Sequence, residues 1–222
     1  MKTMKPYLAA ALAVGLLVTQ AAGAQSADRA GRWESNVGIV FQNSASVDFK
    51  GGTTADMDSG TGLQLGLGYH LSENLLLSGN FTFNSIDYKA DIVGDTLGEV
   101  FHAKGSLDDF GLMFDATYNF MDGPFSPFVT AGIGYNWVDT NLATEPPQTG
   151  CWWDPWWGYV CANFQDTKTI DGFAYEAAVG ARYDFNDSIA LIGNYRMQWI
   201  DLGNAKGTPD FDGFTLSLGW KF

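Results

Sequence analysis

The sequence predicts an all-β fold built as an eight-stranded antiparallel up-and-down barrel, and three observations carry that prediction. Eight segments alternate large apolar residues with small or polar ones. The links between them alternate short and long. The last segment, Phe214 to Phe222, places an apolar residue at every second position, with Thr215, Ser217, Gly219 and Lys221 between. A strand turns successive side chains to opposite faces, so each segment has one apolar wall and one small or polar wall.

The first strand is expected near Trp33–Gln42, with Trp33, Val37, Ile39 and Phe41 opposed to Glu34, Asn36 and Gly38. The second, Gly62–His70, sets Leu63, Leu65, Leu67 and Tyr69 against Gln64, Gly66, Gly68 and His70. The third, Leu75–Asn84, sets Leu77, Phe81 and Phe83 against Ser78, Asn80 and Thr82. The fourth, Asp109–Asn119, opposes Phe110, Leu112, Phe114 and Tyr118 to Asp109, Gly111, Asp115 and Thr117. In the fifth, Pro127–Trp137, Val129, Ile133, Tyr135 and Trp137 alternate with Thr130, Gly132, Gly134 and Asn136. The sixth, Phe173–Phe185, carries Tyr175, Val179, Tyr183 and Phe185 against Glu176, Gly180, Arg182 and Asp184. The seventh, Ile189–Trp199, carries Leu191, Tyr195, Met197 and Trp199 against Asn194, Arg196 and Gln198. The terminal segment is the eighth.

Short links follow the second, fourth and sixth strands, and long ones (43–61, 85–108, 138–172 and 200–212) follow the odd-numbered strands. Up-and-down threading therefore gathers the turns at one end and the long loops at the other, as in bacterial outer-membrane barrels. Pairing Phe185 with Ile189 around the 186–188 turn keeps both inner faces in phase, whereas a one-residue slip would turn one strand inside out. A soluble sandwich or lipocalin-like barrel would point its apolar faces inward. Here the opposite faces are crowded with Gly, Ala, Ser and Thr, which suit a narrow interior. Aromatic residues also form two girdles: Trp33, Tyr69, Tyr118, Tyr183 and Trp220 at the turn end, and Tyr135, Trp137 and Trp199 toward the loop end. Girdles of this kind mark membrane interfaces. The fold class is thus an all-β, eight-stranded antiparallel up-and-down transmembrane barrel.

The N-terminus has the form of a secretory signal. Lys2 and Lys5 precede an apolar core over Leu8–Val18, and Ala22-Gly23-Ala24 supplies a small-x-small cleavage site. The core is short for a membrane helix. The expected domains are a signal peptide at 1–24 and a barrel at 25–222. Without Lys2 and Lys5, ten Lys and Arg face 25 Asp and Glu, leaving −15 on the mature 198 residues. That balance argues against nucleic acid and against attraction to anionic lipid, which both require cationic surface.

The stretches Pro127–Tyr135, Gly180–Phe185 and Leu218-Gly219-Trp220-Lys221-Phe222 resemble the small eight-stranded outer-membrane barrels, OmpA-like in the broad sense and including OmpX and the opacity proteins. The resemblance spans the mature chain. It implies a bacterial outer-membrane location with periplasmic termini and extracellular long loops, in contact with outer-membrane lipid and lipopolysaccharide. It further implies that Leu218, Trp220 and Phe222 belong to the signal read by the barrel-assembly machinery. The chain ends with its eighth strand, so no peptidoglycan-binding domain is expected.

Candidate chemistry falls into four groups. The inward charges Glu34, Asp115, Glu176, Arg182, Arg196 and Lys221 are expected to form a lumen ionic network, because charges in a narrow interior must be paired or hydrated. Register places Gln198 opposite Glu176 with Arg196 diagonal to it, while Glu34, Asp115, Arg182 and Lys221 lie nearer the turn end. The sharper alternative is a gate made by Arg196 and Glu176, although eight strands leave an interior only wide enough for side chains. Second, Cys151 and Cys161 are the only cysteines of a secreted chain and are expected to form a disulfide. They bracket Trp152, Trp153, Trp156, Trp157 and Tyr159, which either pack together or recognise an extracellular partner or glycan through loop 138–172. Third, acyl-ester hydrolysis would need a His beside a Ser. Only His70 and His102 exist, and neither is well placed, so no catalytic residue is assigned. Fourth, aspartates crowd the loops without the ligand spacing of a calcium loop, and no metal or cofactor is expected. The leading function is non-enzymatic envelope structure or surface interaction. The alternatives are a narrow channel for small hydrophobic molecules, as in OmpW-like barrels, and, behind it, a lipid-A-modifying enzyme.

Overall fold

The computed structural model describes residues 28–49, 52, 54–93, 100–143, 148–164, 167–203 and 205–222. The expected signal peptide lies outside these. Twelve strands follow in order: β1 (Trp33–Gln42), β2 (Ala45–Asp48), β3 (Thr54–Met57), β4 (Gly60–His70), β5 (Leu75–Val93), β6 (Val100–Asn119), β7 (Phe125–Ala143), β8 (Gln148–Asp154), β9 (Gly158–Phe164), β10 (Thr167–Asp184), β11 (Ile189–Ile200) and β12 (Asp210–Lys221). Eight of them close an antiparallel barrel in the order β1-β4-β5-β6-β7-β10-β11-β12. Closure joins the first strand to the last, with Glu34 opposite Lys221, Val37 opposite Leu218 and Phe41 opposite Phe214. The backbone N–H of Phe185 donates to Ile189 O at 2.9 Å, so the 186–188 turn has the register read from the alternation.

Four strands are longer than the alternation indicates. β5, β6, β7 and β10 run for 19, 20, 19 and 18 residues, against 10 and 11 for β1 and β4. A membrane crossing needs about 9–11 residues. The segments 85–108 and 138–172, expected as loops, are therefore largely ladder: β5 and β6 pair from Leu75–Tyr118 up to Val93–Val100. The reason is a reversal of the hydropathy code along one unbroken strand. On β5 the residues at 77, 81 and 83 point outward and are apolar, while Thr82 and Asn84 are buried inside. From Ser85 upward the outward positions become Ser85, Asp87 and Lys89, and the inward ones become Ile86, Tyr88 and Ala90. Parity is unchanged; the surrounding medium is not. β6 reverses between Phe110 and Asp108, β7 between Trp137 and Asp139, and β12 between Phe214 and Asp212.

Above the reversal the interior behaves like that of a water-soluble protein. Ile86, Tyr88, Ala90 and Leu107 form one buried cluster, against which Ala55, Met57 and Val138 pack. β2 and β3 pair with each other, and β3 adds to the edge of β5, with Met57 opposite Tyr88. Val47 is carried over the barrel mouth and packs with Met113, Ala174, Ile200, Leu202, Ala205 and Phe211. A bridge from Phe49 to Ala205 ties this cap to the link before β12. The loop-end mouth is thus closed by an apolar plug. β8 and β9 form a separate two-stranded sheet.

Candidate functional site

The turn-end mouth is closed by charge rather than by hydrocarbon. Asp184, at the end of β10, accepts bonds at Oδ1 from Arg182 Nη2 (3.0 Å) and Lys221 Nζ (2.9 Å). Its Oδ2 accepts from Arg29 Nη2 (2.7 Å) and Nε (3.1 Å). Glu34 Oε2 accepts from Arg182 Nη2 at 2.7 Å and lies 3.0 Å from His70 Nε2. All six side chains are buried. An isolated buried ion costs several kcal/mol, and pairing at this density is what offsets the cost.

Sequence reasoning left three members out of this network: Asp184, its hub, His70 and Arg29. Arg29 is the one that strand alternation could not have placed. It precedes the first strand and so has no place in an alternation. Gly31, at φ +76°, folds the segment back so that its N–H reaches His70 O at 2.9 Å. The guanidinium then enters the barrel, donating also to Met121 O (3.1 Å) and Gly123 O (2.7 Å) in the β6–β7 turn. Glu73, in the β4–β5 turn, receives the Arg29 backbone N–H at 2.9 Å. Through its backbone and its side chain, Arg29 thereby fastens two turns and β10.

The middle of the lumen holds a second, separate group. Asp115 was expected near the turn end; register instead places it level with Glu176, the row running Ser78, Asp115, Gly132, Glu176, Gln198. Asn80 Nδ2 donates to Asp115 Oδ2 at 2.6 Å. Arg196 Nη1 stands 3.7 Å from Glu176 Oε2, an ion pair without a hydrogen bond. The six expected charges therefore divide into Glu34, Arg182 and Lys221 below, and Asp115, Glu176 and Arg196 above. Gln198 faces Glu176 in register, but its amide bonds elsewhere. It donates to Asn136 Oδ1 at 3.0 Å, and Asn136 Nδ2 donates to Asp109 Oδ1 at 2.8 Å. A chamber of about 70 Å³ lies between the two charge groups, lined by Asn36, Gln64, Asn80, Asp115, Glu176 and Arg196 among others.

The cysteines are joined as Cys151–Cys161, directly opposite each other on the β8–β9 hairpin. Asp154 Oδ1 accepts the N–H groups of Trp156 (2.8 Å) and Trp157 (3.0 Å), and Gly158 takes φ +78°, which together shape the tip. The aromatic residues stand outward: Trp153 is 71% exposed, Trp156 90%, Trp157 82% and Tyr159 70%, with Trp152 at 45%.

His70 is engaged with Glu34, while Ser72 Oγ accepts the backbone N–H groups of Asn74 (3.3 Å) and Leu75 (3.1 Å). No Ser–His pair forms there. The His102 side chain lies outside the described residues. Among those described, no group of three or more His, Cys, Asp or Glu is placed to hold a metal.

The architecture recurs among solved structures. Neisserial surface protein A superposes with a TM-score of 0.53 at 14% identity, covering 87% of this chain and 98% of that one. The outer membrane protein OprG from Pseudomonas aeruginosa gives 0.54 at 16% identity, covering 87% and 97%. At that identity the likeness concerns the fold. No curated protein sequence matches the chain. A family model, that of the outer membrane protein beta-barrel domain, matches residues 9–222. Sequence, closed barrel and family model agree: the chain belongs to the outer-membrane β-barrel family and is a protein of the bacterial outer membrane, in contact with its lipids and lipopolysaccharide.

Proposed function

We propose that this protein is a non-enzymatic surface-interaction barrel whose long-stranded end faces the cell exterior and whose β8–β9 hairpin binds an extracellular partner or glycan. The observation that carries the reading is the outward display of Trp153, Trp156, Trp157 and Tyr159 on a hairpin that is cross-linked and set apart from the barrel sheet. Exposed aromatic rings are costly to leave in water and are the residues most often found as binding hot spots. The disulfide restricts the hairpin in its unbound state and so lowers the entropy lost on binding. Flat, weakly charged ligands such as sugar rings suit indole faces, whereas the chain's acidic excess disfavours polyanions. In this orientation both termini are periplasmic, and Leu218, Trp220 and Phe222 on β12 are available to the assembly machinery.

Binding of the detergent-solubilised barrel to a glycan array, and capture of partners from host-cell surface extracts, tests the reading. Replacing the four hairpin tryptophans with serine should abolish capture while the barrel stays heat-modifiable on gels. Unchanged binding by that variant refutes it. The channel reading is weakened by the apolar plug at one mouth and the Arg29 cluster at the other. The Arg196–Glu176 gate is weakened on the same grounds, since opening that pair would leave both plugs in place.

A further inference from the structure

The mid-lumen chamber has an unbalanced charge. Its charged lining is Glu34, Asp115 and Glu176 with Arg182 and Arg196; Glu34 and Arg182 are paired with each other, which leaves Asp115 and Glu176 against Arg196, and Asp109 lies outside the lining. Asp109 is engaged by Asn136. Asp115 and Glu176 are not fully engaged: Asp115 Oδ1 and Glu176 Oε2 are buried, receive no N–H or hydroxyl donor from another residue, and belong to residues lining the chamber. The residues themselves are 5% and 8% exposed. Buried oxygens of this kind ordinarily have a partner.

The backbone lets the two acids approach each other. Gly132 lies between the two acids in the same cross-strand row. A Cβ at position 132 would stand 1.8 Å from Asp115 Oδ1, so the carboxylate occupies the space a side chain would fill. Asp115 and Glu176 are two strands apart, about 9–10 Å between backbones, a span their side chains close from both sides over the glycine. The lining also carries neutral oxygens of Asn36, Gln64, Ser78 and Asn80, beside the Arg182 guanidinium and apolar side chains such as Leu76, Met113 and Phe128. Carboxylate, carbonyl and water oxygens around a small polar chamber are the donor set of a hard cation such as calcium or magnesium.

We propose that this chamber is a cation site, in which Asp115 Oδ1 and Glu176 Oε2 hold a hydrated hard divalent cation inside the barrel wall. With two carboxylates rather than three or four, it is a weak site whose occupancy stabilises the folded barrel.

Calcium is the probe. The barrel is refolded in a zwitterionic detergent after EDTA treatment, and its thermal unfolding midpoint is followed against added CaCl₂ at constant ionic strength. The wild type should show a midpoint that rises with the logarithm of calcium concentration, and calorimetry should find one ion per barrel. Glu176→Gln should lower calcium affinity about tenfold or more, through loss of one charged ligand. Gly132→Ala, which changes no charge, should weaken calcium binding by displacing Asp115. Arg196→Gln should strengthen it, an opposite sign that a merely structural role would not produce. All of these variants keep every exposed aspartate. A calcium response that persists unchanged in the Asp115→Asn, Glu176→Gln double variant therefore assigns the ion to the surface and overturns the proposal. A wild type indifferent to calcium but stabilised by mild acid overturns it too, because the two acids then share a proton.

Discussion

Asp184→Asn is the most informative single change in the barrel. The carboxylate is the hub of the turn-end cluster, accepting from Arg29 twice and from Arg182 and Lys221 once each, at 2.7–3.1 Å. An amide of the same shape retains one acceptor oxygen and no charge. Three buried cations would then face Glu34 as the remaining carboxylate of the group. Removing one partner of a buried ion pair costs about 3–5 kcal/mol, chiefly because the other charge is left unmatched. With neighbours that can share Glu34, a loss of about 4 kcal/mol is expected. At a urea dependence of about 2 kcal/mol/M, the unfolding midpoint should fall by about 2 M. The assay is the fraction of compact, heat-modifiable barrel on unheated gels across a urea series in detergent. Lys221→Met in the same background should restore at least about 1 kcal/mol, because it removes one of the unmatched cations. A midpoint within about 0.3 M of wild type would refute the argument, since it would mean that water reaches the cluster and solvates the charges.

Three further outcomes follow from the geometry. Cys151→Ser with Cys161→Ser should leave barrel stability unchanged, because β8 and β9 pair only with each other, while limited proteolysis cuts the hairpin faster. Arginine at Val179, which faces outward in the middle of β10, should cost about 2–4 kcal/mol in bilayer refolding, whereas arginine at Ser85, just above the reversal on β5, should cost less than about 1 kcal/mol. Equal costs would place the boundary wrongly. In planar bilayers the wild type should pass no stepwise current, and neither should charge reversal at Glu176 or Arg196; a steady conductance would show that the plugs do not seal.

The barrel was legible because its signal is physical and local. Alternation fixes which side chains face out, a single turn such as 186–188 fixes register, and β1 emerged with the bounds its alternation gave, Trp33–Gln42. The upper halves of β5, β6, β7 and β10 were not legible, for an equally physical reason. A search for apolar-out alternation must stop where the outer medium becomes water, and Ile86, Tyr88 and Ala90 then look like stray hydrophobics in an acidic loop. The apolar plug shares that cause, because Val47 meets Leu202 and Phe211 only once β2 has folded over the mouth. Of the lumen charges, sequence supplied the residues and the Glu176–Gln198 register. It did not supply their division into two groups, which depends on how strand stagger levels Asp115 with Glu176. Arg29 was out of reach, lying in a segment with no periodicity.

The reversal along β5, β6, β7 and β12 also acts as a waterline. A cylinder with only an apolar band can ride a few ångströms higher or lower as bilayer thickness varies, at a modest cost per ångström. Here the wall changes character within two or three residues on several adjacent strands. Sinking by one residue pair, about 5 Å along the membrane normal for strands tilted by about 40°, would carry Asp87, Asp108, Asp139 and Asp212 into hydrocarbon together, and rising by as much would strip lipid from Phe83, Phe110, Trp137 and Phe214. Both displacements are opposed at once. The barrel's draught is therefore fixed, and where the membrane thins or thickens it is the lipid that must deform.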